Sequence, residues 1–337
     1  MKHGDGPKRP GYPIALIHPL GPLFRHLPLP LRRHLLFLRA HKTWGNFGTP
    51  RTWREKMQWR IIHDRRTILS VACDKLAQRA FVDRELLTAG NRAEVRLPEI
   101  FWVGTDVREL KLLAASLPPR WVFKPNHSSG RVRLLDATES TVNWEDLIRA
   151  GDRWMLEDEE TKVFGHRAYA GARRLLIAEE RIGAGIEAPD DLRLSCSYGK
   201  LRVASWSHGY GTPDYRAAGY EQDLMTRAEK YLPHELRAAD STPIDALTHE
   251  EKRRLITAAE IISRPFDHVR VDFYFEEGAL WFSELTVYSN SGLAPIEHQE
   301  NVKIGSFWNL PDLSASDPRE AEWRALLHGV PKGTLQT

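Results

Sequence analysis

The sequence predicts an α+β fold made of several lobes, because its helical segments are mixed with antiparallel β-hairpins. Two hairpins carry most of this prediction, one over residues 192–211 and the other over residues 268–289. Apolar residues recur at helical spacing over residues 50–69, 74–90 and 249–263, which supplies helices to cover the hairpins. Strands do not alternate strictly with helices, and this disfavours a Rossmann fold or a TIM barrel.

Most elements have a local signal at their ends. Asp74 is typical of a helix N-cap and Gly90 of a helix end, so they bound the second helix. The two hairpins are predicted to turn at Gly199–Lys200 and around Gly278. Apolar runs and helical spacing predict the remaining elements, which are strands at 97–104, 121–125 and 173–182 and helices at 106–117 and near Trp323.

Length and composition are those of an ordinary globular protein. The chain has 337 residues, of which 42% are hydrophobic and 28% charged, and its mean hydropathy is −0.46. Prolines interrupt the apolar stretch 11–24, so we expect neither a spanning helix nor a signal peptide. The only two cysteines, Cys73 and Cys196, lie far apart, so we expect no disulfide or zinc site and a reducing, cytoplasmic location.

Basic residues are concentrated at the N-terminus, although the net charge is only +3. Eight lysines and arginines precede residue 43, against the single acid Asp5. This pattern indicates either a weak contact with a membrane surface or polyanion, or an arm that packs its leucines on its own core. Aromatic residues do not interleave with the basic ones, so nucleic-acid binding is not expected.

A predicted strand delivers Lys124 into the loop NHSSGR. A small, flexible loop with Ser128, Ser129 and Gly130 lets backbone N–H groups surround phosphate oxygens, and the lysine adds a positive charge. The loop lacks the spacing of a Walker motif. The pattern therefore predicts either a phosphate site or an ordinary turn after an edge strand.

The second long hairpin carries Asp272 and Glu284 on its two arms. Carboxylates on neighbouring strands are ligands that Mg²⁺ prefers, if both face one side. A two-residue turn would place them on opposite faces, so we predict a three-residue loop at 277–279 or a β-bulge with the same effect. Arg270 would share their face and contact a phosphoryl group or oxyanion, unless it forms a plain ion pair.

These segments together resemble the TupA-like ATP-grasp family. The likeness runs from about Trp44 to Trp308 and includes TWREKMQW, DKLAQRAFV, LPEIFWVG, WVFKPNHSSG, LLIAEERI, DDLRLSCSYGK, VRVDFYFEEGALWFSELTVYSNSG and GSFW. The hairpin is also similar to that of D-alanine–D-alanine ligases. The resemblance implies an ATP-grasp fold, in which a nucleotide lies between two lobes that are each built on an antiparallel sheet with helices.

The resemblance also implies roles for individual residues. ATP phosphates would meet Lys124 and the loop Asn126, His127, Ser128, Ser129 and Gly130, and phosphate or substrate would meet Lys75 and Arg79. The adenine hinge would be Glu179, Glu180, Arg181 and Ile182, with Glu187 or Asp190 at the ribose. Mg²⁺ would be held by Asp272 and Glu284, with Arg270 at the reacting group and His127 or His208 as proton acceptor.

One position departs from the superfamily pattern. Many members have an asparagine ligand two residues after the metal glutamate, where this chain has Thr286, and Asn290 follows shortly. Either residue could complete the metal site. The expected regions are a basic arm with helices (1–72), a lid subdomain with phosphate loop and hinge (73–182), a C-terminal subdomain with the metal site (183–312) and a tail (313–337).

The implied activity is an ADP-forming carboxylate–amine ligase that uses ATP and Mg²⁺. Its substrates would be small-molecule or glycan-linked carboxylates and amines. Two other functions stay open, namely a kinase of a sugar or hydroxyl group, and a non-catalytic nucleotide-binding partner in glycan biosynthesis.

Overall fold

The computed structural model describes residues 22–183, 185, 188–209, 213–228, 237–238 and 241–329. Within these residues the helices are α1 (Leu29–His41), α2 (Trp53–His63), α3 (Thr67–Cys73), α4 (Lys75–Thr88), α5 (Val107–Leu112), α6 (Trp144–Leu156), α7 (Glu159–Lys162), α8 (Pro243–Ala246), α9 (His249–Ser263), α10 (His298–Ser306) and α11 (Glu320–His328). The strands are β1 (Ile100–Gly104), β2 (Arg120–Pro125), β3 (Arg133–Asp136), β4 (Leu176–Glu180), β5 (Asp191–Ser197), β6 (Lys200–His208), β7 (Arg216–Tyr220), β8 (Val269–Glu276) and β9 (Ala279–Thr286).

The named strands form two antiparallel sheets. The smaller sheet has the order β1-β4-β2-β3, and the larger one has the order β7-β6-β5-β8-β9. Two antiparallel sheets with separate helices are an α+β architecture, so the predicted fold class is confirmed.

Each sheet has its own hydrophobic core. Trp102, Trp121, Phe123 and Trp154 pack between the four-stranded sheet and helices α5 and α6. The larger core joins the five-stranded sheet to helices α2, α3, α4 and α9. Helix α4 therefore packs with the larger sheet, although the sequence assigned it to the same region as the smaller one.

Polar side chains fix the ends of the helices before the first strand. The single helix predicted over residues 50–69 is wrong, because Asp64 leaves the helical conformation and separates α2 from α3. Its carboxylate accepts a hydrogen bond from the backbone N–H of Arg66 at 3.1 Å. The predicted ends of α4 are confirmed, since the Asp74 carboxylate accepts from Ala77 N–H at 2.7 Å and Gly90 has a φ of 72°.

The turn between β5 and β6 lies one residue earlier than predicted. Tyr198 and Gly199 occupy it with φ values of 49° and 71°, the left-handed pair that a two-residue hairpin turn requires. Strand β4 is also shorter than the predicted strand over 173–182. The helix predicted over 249–263 is confirmed as α9.

The N-terminal basic region turns two of its arginines inward. Arg32 and Arg33 are buried, whereas Leu31 and Leu38 on the same helix are exposed. Residues 1–21, which hold Lys2, Lys8 and Arg9, lie outside the described residues. The membrane contact stays a prediction. Within the described part of the chain, no helix combines the length and apolarity that crossing a membrane requires.

Candidate active site

The two acids of the second hairpin lie directly opposite each other. The turn is the two-residue pair Glu277–Gly278, with φ values of 52° and 71°, so the predicted three-residue loop is wrong. The ladder shifts register between Asp272 and Phe273, and this shift pairs Asp272 with Glu284. The β-bulge predicted as the alternative is therefore confirmed, and it brings the acids onto one face.

Arg270 contacts both acids. Its Nε donates to Asp272 Oδ1 at 2.7 Å and its Nη2 to Asp272 Oδ2 at 2.5 Å, while Nη2 lies 3.5 Å from Glu284 Oε1. Thr286 joins them, because its hydroxyl accepts from Arg270 Nη2 at 3.1 Å and donates to Glu284 Oε1 at 3.1 Å. One guanidinium is thus shared by two carboxylates.

This sharing of one arginine affects the two acids differently. Burial, together with the smaller effect of the Glu284 charge, outweighs the lowering by Arg270 and raises the pKa of Asp272 to about 6. Burial also acts to raise the pKa of Glu284, but Arg270, Lys75 and the Thr286 hydroxyl together lower it. The pair therefore holds more negative charge than Arg270 compensates.

Two lysines line the same cavity, Lys124 from the smaller sheet and Lys75 from the start of α4. Lys124 on β2 donates to the carboxylate of Glu179 on β4, and Lys75 at the start of α4 donates to the carbonyl of Ser128. Burial, followed by the charge of Lys124, lowers the pKa of Lys75 to about 8. Two neighbouring ammonium groups are suited to bind a multiply charged anion.

Side chains from both sheets line one cavity of about 280 Å³. This volume lies at the lower end of the range of about 300–1,000 Å³ that is typical of ligand pockets. Of the predicted site residues, those on its wall are Lys75, Lys124, Ser129, Gly130, Glu179, Glu180, Arg181, Ile182, Arg270, Glu284, Thr286 and Asn290. Asp272 is buried beside Arg270 and is not part of the wall.

Three residues predicted to contact the nucleotide have other partners. Asn126 is buried; its Oδ1 accepts from Leu76 N–H at 2.9 Å and its Nδ2 donates to the Arg173 carbonyl at 2.8 Å. Arg79 donates to the carbonyl of Pro98. His127 is buried, with its Nε2 3.1 Å from the Trp154 carbonyl. These side chains brace the loop and the first strand and do not line the cavity.

The phosphate loop itself is partly accessible. The left-handed φ of 67° at Gly130 suits the turn by which the chain leaves the strand. Ser129 and Gly130 line the cavity. Ser128 is buried, and its carbonyl is the acceptor for Lys75. The loop is therefore attached to the larger core through Lys75.

The predicted hinge runs along the end of β4. Glu180 Oε2 accepts from Glu99 N–H at 2.9 Å, and the Arg181 guanidinium donates to the Gly185 carbonyl at 2.5 Å. Glu187 lies outside the described residues. Asp190 accepts from Trp206 Nε1 at 2.9 Å and contacts His208 Nδ1 at 2.7 Å, and neither acid nor imidazole lines the cavity.

The sequence prediction missed a polar cluster at one end of the cavity. Glu160, His166 and Ser291 line it together with the rings of Tyr169 and Tyr288. These residues come from segments more than 100 positions apart, and no local motif marks them. Only the fold brings them together.

The oxygen atoms around Glu284 are suited to a divalent cation. Carboxylate and hydroxyl oxygens are hard ligands, and the excess negative charge at Asp272 would be relieved by a cation. In the described ranges no group of three or more His, Cys, Asp or Glu side chains could hold a metal. A cation would therefore also need neutral oxygens, such as those of Thr286 or a bound phosphate.

Two antiparallel sheets that enclose a cleft, with lysines on one side and paired acids on the other, are the arrangement of an ATP-grasp protein. The sequence profile of the family described as TupA-like ATPgrasp matches residues 55–304. The chain belongs to this family, and the predicted ATP-grasp fold is confirmed.

Solved ATP-grasp structures are similar over much of the chain. The ligase PsnB, complexed with a phosphomimetic variant of its minimal precursor, Mg and ADP, is 15% identical with a TM-score of 0.35, over 71% of this chain and 59% of that one. D-alanine–D-alanine ligase from Bacillus anthracis with ATP is 16% identical with a TM-score of 0.35, over 65% and 57%. VanG D-Ala:D-Ser ligase from Enterococcus faecalis is 16% identical with a TM-score of 0.35, over 71% and 63%.

In each of these three comparisons the chain covers less than two thirds of the other structure's length. None of the curated proteins compared with this chain matches it.

Proposed function

We propose that the chain is an ATP-dependent ligase that activates a carboxylate as an acyl phosphate and joins it to an amine. One observation carries the proposal: a carboxylate pair that shares one arginine lies in and beside a cavity whose wall also holds two lysines. Phosphoryl transfer needs positive groups around the phosphates and a metal site beside them.

In the first step a substrate carboxylate oxygen attacks the γ-phosphorus of ATP, and ADP leaves. Lys124 and Lys75 neutralise phosphate oxygens, while Ser129 and Gly130 cover them and exclude water. Bound Mg²⁺ would supply positive charge that offsets the negative charge of the phosphates. The residues that would hold it are Glu284, Asp272 and Thr286, with Asn290 on the same wall.

Arg270 has a second role in this scheme. Its guanidinium donates to both oxygens of Asp272, at 2.7 and 2.5 Å, so a cation at Asp272 would compete with Arg270 for these oxygens. A released guanidinium would be free to contact the phosphoryl group or the acyl oxyanion. The amine then attacks the acyl carbon, the C–N bond forms, and phosphate leaves with the electron pair of the broken C–O bond.

The substrates are proposed as small-molecule or glycan-linked carboxylates and amines. Purified protein with Mg-ATP and a panel of amino acids and amines should release ADP and phosphate together with an amide. Release of AMP and pyrophosphate would exclude the acyl-phosphate route. A stable phosphoester product would identify a kinase, and nucleotide binding without turnover would identify a non-catalytic partner.

Two variants test the site assignment. Lys124→Ala and Glu284→Gln should each lower ADP release by at least about a hundredfold. Each removes a charged side chain that would bind the phosphates or the metal ion beside the transferring phosphoryl group. Lys200→Ala is the matched control, because Lys200 is exposed and pairs only loosely with Glu260 at 3.4 Å. Activity retained in both site variants would remove the assignment.

A further inference from the structure

The wall of the cavity contains a serine, a histidine and a glutamate joined in one hydrogen-bonded line. His166 Nδ1 lies 2.8 Å from Glu160 Oε2, and its Nε2 lies 2.9 Å from Ser291 Oγ. A carboxylate can only accept, so the imidazole N–H at Nδ1 donates to Glu160. This leaves Nε2 as the acceptor for the Ser291 hydroxyl.

The backbone that carries Ser291 is held in a conformation that costs free energy. Asn290, Ser291 and Gly292 have consecutive left-handed φ values of 45°, 57° and 65°. For two non-glycine residues this geometry is unfavourable and persists only where surrounding contacts impose it. Such strain commonly accompanies a side chain that must point in one direction.

Buried groups of helices α1 and α2 impose this conformation. Arg33 Nη2 and Gln58 Nε2 donate to the Ser291 carbonyl at 2.7 and 3.0 Å, and His41 Nε2 lies 3.2 Å from the Gly292 carbonyl. Arg33 and Gln58 are fully buried. The buried arginine of the N-terminal region thus fixes the loop that aims Ser291 at His166.

We infer that this line is a proton relay for the acceptor nucleophile of the ligase reaction, an inference that rests on the proposed function. Ser291 is the catalytic residue that contacts the acceptor, and His166 and Glu160 are positioning residues. When the acceptor nitrogen or oxygen attacks the acyl phosphate, its proton passes to Ser291 Oγ as the serine proton passes to His166 Nε2. The new bond to the acyl carbon forms, the C–O bond to phosphate breaks, and phosphate leaves with its electron pair.

The groups that face His166 support this role. Burial is the main cause that lowers the pKa of His166, and Arg33 lowers it further, whereas Glu160 acts in the opposite direction. The imidazole is therefore neutral and able to accept a proton at neutral pH. Tyr288 stacks on it with ring centroids 4.5 Å apart, and Tyr169 lies 6.4 Å away. The aromatic wall indicates an acceptor with an apolar part beside its nucleophilic group.

The relay predicts that His166→Gln slows the reaction with a nucleophile that must lose a proton and leaves the reaction with an unprotonated nucleophile almost unchanged. Hydroxylamine is largely unprotonated at pH 7.5 and attacks an acyl phosphate without a base, whereas an ammonium group must first lose its proton. The full chain is incubated with Mg-ATP, each proteinogenic amino acid as carboxylate, and either hydroxylamine or a second amino acid. We expect hydroxamate formation within about twofold of wild type and a loss of amide formation of about 10²–10⁴-fold.

Ser291→Ala and Glu160→Gln should show the same split, since alanine keeps the backbone and the carbonyl contacts of residue 291. His63→Gln, on the exposed end of α2, is the control for a histidine change, and its rates with both nucleophiles should equal those of wild type. Thermal unfolding confirms that each variant is folded. If folded His166→Gln loses hydroxamate and amide formation equally, or forms amide at the wild-type rate, the relay is wrong. Neither result would contradict the proposed ligase function. A wild-type chain that forms no hydroxamate from any carboxylate would overturn the proposed ligase function and the relay with it.

Discussion

Two buried aspartates, five positions apart, face opposite electrostatic situations. Asp267 accepts from Arg60 at 2.8 Å, from Arg66 at 2.6 Å and from Trp308 Nε1 at 2.5 Å. Asp272 is hydrogen-bonded to one arginine, Arg270, which it shares with Glu284, and the charge of Arg193 on the neighbouring strand acts on both acids. Both side chains are almost completely inaccessible to solvent, so burial alone does not distinguish them.

The pKa of each aspartate records the difference. Burial acts to raise the pKa of Asp267, but Arg60 and Arg66 prevail and lower it to about 2. Burial prevails at Asp272 and raises its pKa to about 6. Asp267 and Asp64 share Arg60 and Arg66, so their charges are matched and the cluster stabilises the fold, whereas Asp272 and Glu284 share hydrogen bonds from one arginine and are prepared for a cation. The following variants test this contrast.

Asp267→Asn should have the largest effect. It leaves the fully buried Arg60 beside a neutral amide, while Arg66 keeps its pair with Asp64, and breaking a buried ion pair in this way costs about 3–5 kcal/mol. The free energy of unfolding, measured by urea titration, should fall by that amount. Asp152→Asn, in an exposed pair with Arg108, is the control and should leave the free energy of unfolding unchanged. A loss no larger than that of the control would contradict the structural role.

Asp272→Asn should lower the rate of turnover without lowering the free energy of unfolding. The pKa of Asp272 is higher in the folded than in the unfolded chain, so above about pH 6 its ionised form opposes folding. The free energy of unfolding at pH 8 should therefore be unchanged or higher in the variant. ADP release should fall by about 10²–10³-fold, because part of the metal site is lost. A marked fall in the free energy of unfolding would show that Asp272, like Asp267, stabilises the fold, and would contradict this contrast.

Acid should weaken the structural cluster through His268. Burial, followed by the charge of Arg60, lowers the pKa of this histidine to about 3, below its value of about 6.5 in the unfolded chain. The unfolded chain then binds the proton at His268 more readily, so this histidine contributes a loss of stability of about 1.4 kcal/mol per pH unit below about pH 6.5, while the raised pKa of Asp272 contributes in the opposite direction. Urea titrations of wild type and His268→Gln between pH 7 and 5 isolate the contribution of His268, because acid should cost wild type more stability than the variant. The same slope in both proteins would argue against a neutral buried His268.

Thr286→Val should have the smallest effect of the four. The change removes the hydroxyl that joins Arg270 to Glu284 and keeps the shape of the side chain. We expect ADP release to fall by about tenfold, equivalent to about 1.4 kcal/mol. Thr286→Asn should retain activity, since an amide oxygen can replace the hydroxyl as a ligand. Unchanged kinetics in Thr286→Val together with a loss in Asn290→Ala would assign the third oxygen to Asn290.

Local chemistry made much of the fold predictable. Asp74 and Gly90 mark the ends of a helix through interactions with their own neighbours, and the prediction from them was right. The alternation of side chains along the second hairpin correctly predicted that Asp272 and Glu284 need an irregularity in order to face one side. The three-residue loop was predicted first and the β-bulge as its alternative, and the bulge is what the structure has. The bulge between Asp272 and Phe273 has no strong local signature in the sequence.

The candidate site was less predictable, because its side chains select partners across the fold. Asn126 sits in the predicted phosphate loop, yet it braces α4 and the segment before β4. Arg32 and Arg33 look like surface charges in the sequence, and only the fold supplies the carbonyl groups that bury them. His166 and Ser291 are 125 positions apart, so sequence spacing could not join them.

Binding of the non-hydrolysable nucleotide AMPPNP with and without Mg²⁺ tests most directly whether Asp272 and Glu284, unlike Asp267, hold a cation. Isothermal titration should give a clear gain in affinity with Mg²⁺ for wild type and for Asp152→Asn. The gain should disappear in Glu284→Gln and in Asp272→Asn, while binding without Mg²⁺ remains. An equal gain in all four proteins would show that the shared-arginine acids do not hold the cation, and would contradict the account.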